Sequence, residues 1–440
     1  MSSAPIADCV METSFAHRRP TQQSTLVPRT LATTPCPRSS TGMYADYRYR
    51  LGPSAIRPAF ELPSPSAAVT RRRGSVQEMP TLEEILDFMT LFDRRVLDER
   101  AHPLFLAFRD QLGYAGGREL MQLIFANYVD EDKNFVKDFQ SIGFSSRLWE
   151  LSLFAYLSEA NLDLRPTKGA VDFIASDGDS VVAIEAVTSQ PPGQVVRTAK
   201  EPKFSDVVPD DLDAARAEYV HQLGKALRKK WQKTDAAGKR YWELDSVKGL
   251  PFVIAVEAFY SGSSLVHGFG VAAEYLYGQT AVPAFKDGRL SISPKRIGAH
   301  LWNGKSIPSG IFDDPEWADV SAVIFANGAS APQFNRIGIQ EGLGDASTIV
   351  WRWGTCANHD PNSAKPKFFS YRVGDEGAPE EDFAQAIHVM HNPNAKRPLP
   401  PGFFPGASEH SRLQKSGQIL STLRAEFIPF SSLTFILQPE

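Results

Sequence analysis

The sequence is poor in cysteine and has no long apolar run, and each absence removes a class of protein. The 440-residue chain has three cysteines, Cys9, Cys36 and Cys356. So few thiols exclude a cysteine-rich zinc module and predict a reducing, intracellular compartment. No stretch approaches the roughly 18–20 apolar residues that a membrane span needs, and the N terminus lacks the basic and apolar regions of a secretory signal. We therefore expect a cytoplasmic protein with no membrane partner.

Common catalytic signatures are missing as well. The glycines of residues 338–344 are not followed by the Lys-Ser/Thr pair of a phosphate-binding loop, and no Gly-x-Ser-x-Gly motif occurs. His388 and His391 have HxxH spacing but lack the glutamate and the third ligand of a zinc protease. The chemistry must therefore be sought among other residues.

The charge is unevenly distributed. The net charge is −4, but residues 1–80 carry ten Arg, no Lys and five acids, so that this segment is +5 and the remainder is −9. Strong, unspecific binding of nucleic acid rests on neutralising phosphates, which an acidic body does not favour. Any contact with nucleic acid should therefore be local.

Residues 1–80 are rich in Ser, Thr, Pro and Arg and show no sustained apolar period, which predicts a disordered tail. The tail has three readings: a solvated linker, a chain start placed ahead of Met43 or Met79, or an organelle transit peptide. Asp8 and Glu12 argue against the transit peptide, because such segments are poor in acids.

Helices are predicted first along the chain and strands later. A capping-box pattern at 81–84 precedes a predicted helix over 85–97, and further helical patterns cover 102–112, 116–128, 132–141 and 145–159. Predicted strands 170–175 and 181–188 form a hairpin around the turn at 177–179, and a helix over 211–233 follows. Later predicted strands cover 251–259, 320–325, 348–353, 368–373 and 433–437.

This order predicts a mixed α/β fold. We divide the chain into a disordered tail (1–80), a helical N-terminal region (81–144), an α/β core (145–330) and a β-rich C-terminal extension packed on the core (331–440).

Three carboxylates stand alone in apolar stretches: Glu150 in a helical run, and Asp172 and Glu185 in the two strands of the predicted hairpin. Burying an ionised carboxylate without a partner is costly, so three in consecutive elements suggest a shared cation. Oxygen ligands of this kind suit Mg²⁺ or Mn²⁺. The alternative is that some of the 51 acids fall beside apolar residues by chance.

A lysine lies on the apolar face of the long predicted helix. Lys230 is four residues after Ala226 and three after Leu227, which places it on their stripe, whereas Lys229 points elsewhere. A lysine in this position either extends to solvent at the helix end or meets a carboxylate.

The order of these residues resembles the PD-(D/E)xK, or restriction-endonuclease-like, nuclease superfamily. Val171-Asp172 corresponds to the "PD" of its motif, and the segment from Glu185 to Val187 corresponds to "(D/E)xK", with Glu150 as the helical acid. The resemblance covers about residues 145–260. Val187 stands where the family has lysine, and Lys230 is the residue that we expect to replace it.

The resemblance implies a restriction-endonuclease-like core and Mg²⁺-dependent (or Mn²⁺-dependent) hydrolysis of phosphodiester bonds in nucleic acid, DNA rather than RNA. Asp172 and Glu185 would bind the metal, Glu150 would orient a metal-bound water or bind a second ion, and Lys230 would position the nucleophile. One alternative is an inactive member of the fold that binds nucleic acid or acts in defence, because the motif lysine is replaced at Val187. Another is an interaction protein in which each acid has its own basic partner.

Overall fold

The computed structural model describes residues 90–131, 133–167, 169–189, 209–259, 262–424 and 427–437. The predicted tail over 1–80 and the capping box at 81–84 lie outside these residues. Within them the chain is a mixed α/β protein with a large mixed sheet and seven α-helices.

The N-terminal part of the described chain is helical, as predicted. Four helices follow one another between residues 103 and 159: α1 (Pro103–Asp110), α2 (Ala115–Phe125), α3 (Phe135–Phe139) and α4 (Phe144–Glu159). The predicted helix over 85–97 is wrong in its described part, since none of residues 90–97 is helical. The buried Gln140 side chain accepts hydrogen bonds from the backbone N–H groups of Arg95 and Val96, which satisfies these groups without a helix.

The predicted hairpin is present and begins the large sheet. After β1 (Asp163–Arg165), strands β2 (Phe173–Ser176) and β3 (Val181–Thr188) pair in antiparallel register. The predicted long helix is α5 (Leu212–Gln232). Strands β4 (Phe252–Glu257) and β9 (Ala322–Ala326) then add parallel to β3 and are buried along their whole length, as expected for central parallel strands.

The remaining elements follow the same chain order. Between β4 and β9 lie α6 (Phe269–Tyr277) and two hairpins, β5 (Gln279–Lys286) with β6 (Arg289–Arg296), and β7 (Ala299–Trp302) with β8 (Lys305–Pro308). After α7 (Ala331–Gln340) come β10 (Ile349–Cys356), β11 (Lys367–Arg372), β12 (His388–His391), β13 (Ser408–Arg412), β14 (Ile419–Thr422) and β15 (Pro429–Leu437).

The C-terminal strands divide between two sheets. The large sheet has the order β1-β2-β3-β4-β9-β12-β13-β14, and β11-β10-β15 form a separate antiparallel sheet. Three strands from beyond residue 331 therefore extend the sheet that the preceding residues begin. The predicted division into domains stays a prediction.

Helices cover both faces of the large sheet. One core contains residues of α1 to α4 and α7 against the sheet, and the other contains residues of α5 and α6 against the opposite face. Alternation of side chains along β3 assigns each residue to one of these layers. Ala183 and Val187 face α5, whereas Ile184 and Ala186 face the N-terminal helices. Glu185 therefore points toward α5.

Candidate active site

Asp172 and Glu185 lie opposite each other at one end of the β2–β3 pair. Phe173 pairs with Ile184, so one further step of the antiparallel register brings Asp172 opposite Glu185. Directly opposed residues of an antiparallel pair project on the same face of the sheet. Asp172 immediately precedes β2, and its Oδ2 accepts a hydrogen bond of 2.6 Å from the backbone N–H of Ala186. The two carboxylates thus share the sheet face that α5 covers.

Lys230 reaches this face from the last turn of α5. Its Nζ lies 2.5 Å from Oε1 of Glu185, and the Glu185 residue is 3% exposed. The helix is oriented by Tyr219, Leu223 and Leu227, whose side chains are buried on the stripe that Lys230 continues. Of the two expected positions for Lys230, the structure therefore has the one beside a carboxylate.

Tyr241 is a further member of the cluster. It begins a 3-10 turn at Tyr241–Glu243, and its hydroxyl donates a 2.6 Å hydrogen bond to the same Glu185 Oε1. Burial raises the pKa of this phenol, and the negative charge of Glu185 adds to the rise, so Tyr241 remains a donor at neutral pH. Lys233 Nζ lies 5.3 Å from the centre of the Tyr241 ring, so the ring is also in contact with a cation.

The electrostatics of Asp172 reflect crowding of like charges. Burial, together with the nearby carboxylates of Glu185 and Glu150, raises the pKa of its carboxyl to about 8, although the Lys230 ammonium and the Ala186 N–H oppose the rise. Unlike Glu185, Asp172 makes no ion pair with a Lys or Arg among the described residues. In the absence of another cation, ionisation of Asp172 is therefore unfavourable at neutral pH.

Glu150 reaches the cluster electrostatically but has its own partner. Its Oε2 accepts a 2.6 Å bond from Nη1 of Arg147, three residues earlier on α4, and Arg147 also binds Asp138. Burial raises the pKa of Glu150, and the charges of Arg147 and Lys230 oppose the rise while that of Glu185 adds to it. If the carboxylates served only in structural ion pairs, each would need a basic partner of its own. Glu150 has such a partner in Arg147, whereas Asp172 has none among the described residues.

Asp172 and Glu185 are a donor set that suits a divalent cation. In the described chain, no three His, Cys, Asp or Glu side chains form a group that could hold a metal ion. Mg²⁺, however, usually takes one or two carboxylates and keeps several waters. Hydrogen bonds from described residues to this pair use only one oxygen of each, Oδ2 of Asp172 and Oε1 of Glu185. The remaining two oxygens and the raised pKa of Asp172 therefore fit a bound cation of this kind.

Sequence reasoning brought Asp172, Glu185 and Lys230 together but missed Arg147 and Tyr241. Arg147 carried a usable signal, because residues three apart on a helix are neighbours and an Arg–Glu pair at that spacing is a standard ion pair. Tyr241 carried none, because it follows a turn after α5 and meets Glu185 only through the packing of that helix on the sheet.

A second buried acid was also missed, at the carboxyl end of β4. Glu257 pairs in register with Thr188 of β3 and is 4% exposed. Burial raises the pKa of Glu257 well above its ordinary value, and among the described residues it has no cationic partner. Alternation along β4 places it with Val253 and Ala255, on the α4 side of the sheet. It is therefore separated by the sheet from the face that carries Lys230.

No helix in the described chain combines the length and the apolar character that crossing a bilayer demands. No protein-family model, curated protein or solved structure matches the chain.

Proposed function

We propose that this protein is a metal-dependent nuclease that hydrolyses phosphodiester bonds in DNA, with a restriction-endonuclease-like core around β2, β3 and α5. The observation that carries the proposal is the meeting of Lys230 with Glu185, opposite Asp172. Lys230 lies on α5, 45 residues after Glu185 in the chain. It would supply the cation that the motif has at the position of Val187.

Each residue of the cluster has a distinct role in the proposed reaction. Asp172 and Glu185 would hold a divalent cation, which when bound supplies Lewis-acid polarisation of the phosphoryl oxygen and acidifies a bound water. Lys230 would orient the attacking water and offset negative charge developing on the phosphate. Tyr241 and the Ala186 N–H fix the two carboxylates in position through the bonds to Glu185 Oε1 and Asp172 Oδ2.

Glu150 takes a supporting role in this proposal. It would orient a water at the edge of the site, and Arg147 holds its carboxylate in place at 2.6 Å. Because Glu150 is compensated by Arg147, its removal should affect hydrolysis less than removal of Asp172 or Glu185.

A catalytically inactive nuclease-fold protein that binds nucleic acid is the second candidate. The observation that favours it is Val187, a residue that lies on the α5 side of β3 with Glu185 and replaces the motif lysine. In this version the Lys230–Glu185 pair serves stability alone. Val187→Lys separates the two candidates, because it would restore the motif lysine at the same sheet face.

The proposal is tested by incubating the full chain with supercoiled and linear DNA in Mg²⁺, Mn²⁺ or EDTA. We expect metal-dependent cleavage that Asp172→Ala and Glu185→Ala each reduce by about 10²-fold or more. Asp382→Ala is the matched control, because Asp382 is a carboxylate paired with Arg424 in a part of the fold that the proposed site does not use. Cleavage that survives both site substitutions would overturn the assignment. Cleavage gained only with Val187→Lys would favour the inactive protein.

A further inference from the structure

The β5–β6 hairpin is a long ribbon that packs little on the rest of the described chain. Its eight residue pairs run from Gln279 opposite Arg296 to Lys286 opposite Arg289. From Ala281 to Arg289 and from Ser291 to Arg296 every residue is exposed. A two-stranded hairpin without a packed face is marginally stable in water, so packing on the rest of the described chain does little to hold this ribbon.

The two faces of the ribbon differ in chemistry. Directly opposed pairs share a face and alternate along the strands. One face carries the larger apolar side chains Phe285, Leu290 and Ile292. The other carries cations at its two ends, Lys286 and Arg289 at the tip and Lys295 near the base, with small residues between them: Ala284 opposite Ser291, and Val282 opposite Ser293. We call this second face the basic face.

The cations of the basic face outnumber the acids beside them, since Asp287, in the turn between Lys286 and Arg289, is the acid that the ribbon itself carries. Lys286, Arg289 and Lys295 make no ion pair with described residues, whereas Arg296, on the other face, binds Asp313 at 3.1 Å. Near the tip, the backbone N–H of Leu290 lies 3.5 Å from Oδ1 of Asn362, a neutral side chain. The basic face is therefore a local cationic surface on a chain whose residues after position 80 sum to −9.

We infer that the basic face binds the major groove of duplex DNA. The major groove is about 12 Å wide and admits a two-stranded β-ribbon. The basal and distal cations are six residues apart along the ribbon, about 20 Å at 3.3 Å per residue, so they reach beyond the groove walls to the phosphates. The small residues between the cations allow the ribbon to approach the base edges closely.

This inference deepens the proposed function by specifying the substrate as B-form duplex. The major groove of A-form RNA is deep and narrow and does not admit such an element. At the base of the ribbon, Gln279 Nε2 donates to the Gly417 carbonyl, in the turn between β13 and β14. Strand β13 lies four positions from β3 in the sheet, about 19 Å at 4.8 Å per strand.

Binding is measured by fluorescence anisotropy of the full chain in EDTA, so that cleavage does not interfere. The probes are a 30-base-pair DNA duplex, the same sequence as duplex RNA, and single-stranded DNA. The test variant is Lys286→Gln/Arg289→Gln/Lys295→Gln. The control variant, Arg95→Gln/Lys133→Gln/Lys137→Gln, removes three exposed cations of the N-terminal helical region.

We expect the test variant to bind duplex DNA about 10- to 100-fold more weakly near 0.1 M salt and to lower the slope of log K against log salt by about 3. The control variant should bind duplex DNA as the unmodified chain does. Duplex RNA and single-stranded DNA should bind more weakly than duplex DNA, and their affinities should be the same for the test variant and the unmodified chain. Equal loss in the control and test variants, or equal affinity for duplex RNA, would overturn the inference. If the ribbon cations are needed for binding but the chain does not cleave DNA in Mg²⁺, the inference about the basic face stands and the nuclease proposal is rejected.

Discussion

At the scale of the residue, the candidate site is built from charges that are costly to bury. Asp172 has no cationic partner among the described residues, whereas Glu185 has two donors on one oxygen, Lys230 and Tyr241. A structural ion-pair network would distribute its cations more evenly. Functional sites tend to retain such unfavourable groups, because the chemistry requires them and the rest of the fold compensates.

The pH dependence of stability follows from Asp172. Its pKa is raised from an ordinary value of 3.8 to about 8, so the folded state binds more protons than the unfolded state between these values. The free energy of unfolding therefore falls as the pH rises from about 4 to about 8. Below the pKa of the unfolded chain, Asp172 is protonated in both states and does not lower stability. Asp172→Asn keeps an acceptor for the Ala186 N–H and removes the titration.

We accordingly expect Asp172→Asn, in EDTA, to melt at a higher temperature than the unmodified chain at pH 9 and at nearly the same temperature at pH 4. Each 1 kcal/mol should appear as about 2–4 °C. Asp179→Asn, an exposed acid in the turn of the same hairpin, should show no such difference. Calorimetry of the three chains across this range checks the prediction, and a lower melting temperature for Asp172→Asn at pH 9 would count against it.

At the scale of the element, α5 provided the most informative prediction from sequence. Its 3.6-residue period placed Lys230 on the buried stripe, and the hairpin pattern placed Asp172 and Glu185 in adjacent strands, because both periods follow from local geometry. The partner of Glu150 and the contact of Tyr241 were not predicted. The second depends on how a turn after α5 packs on the sheet, which no local period encodes. The 85–97 helix failed in its described part because the Gln140 side chain, some 45 residues away, satisfies the backbone there.

The helix offers a matched pair of lysines. Lys230→Met should remove the cation beside Glu185 and leave a carboxylate that is 3% exposed without its ion pair. Breaking a buried pair in this way costs about 3–5 kcal/mol, with the lower end expected because the Lys230 side chain is 19% exposed. Cleavage should fall by about 10²-fold.

Lys229→Met alters the adjacent, exposed position on α5. It should leave the cleavage rate unchanged and the free energy of unfolding within about 0.5 kcal/mol of that of the unmodified chain. Urea unfolding and the DNA cleavage assay, run on both variants, check this pair. Equal effects of the two substitutions would show that Lys230 has no special position.

At the scale of the whole molecule, a buried ionic network ties the β11-β10-β15 sheet to α7 and to the segment that leads into β12. Glu381 binds Arg336 of α7 at 2.7 Å and Arg352 of β10 at 3.2 Å, and all three side chains are 5% exposed or less. The two arginines lower the pKa of the Glu381 carboxyl against its burial. The stability that this network provides is present above the pKa that Glu381 has in the unfolded chain. It is lost as the pH falls through the lower pKa that Glu381 has in the folded chain.

Glu381→Gln should therefore lower the free energy of unfolding by about 3–5 kcal/mol at pH 7, because it leaves two buried guanidinium groups with a neutral partner. Glu380→Gln is the matched control, since Glu380 is exposed and should change stability by about 0.5 kcal/mol or less. Denaturant unfolding at pH 7 and pH 3 checks the prediction. A loss that is the same at both pH values would contradict the electrostatic explanation.

The central claim, that Asp172 and Glu185 together hold a divalent cation, is tested most directly by titrating Mn²⁺ into the full chain and following free Mn²⁺ by electron paramagnetic resonance. The account predicts a site that Asp172→Asn and Glu185→Gln each abolish. Glu159→Gln should retain it, although burial raises the pKa of Glu159 to about 7 as well. No bound Mn²⁺ in the unmodified chain, or binding that persists unchanged in both site variants, would contradict the account.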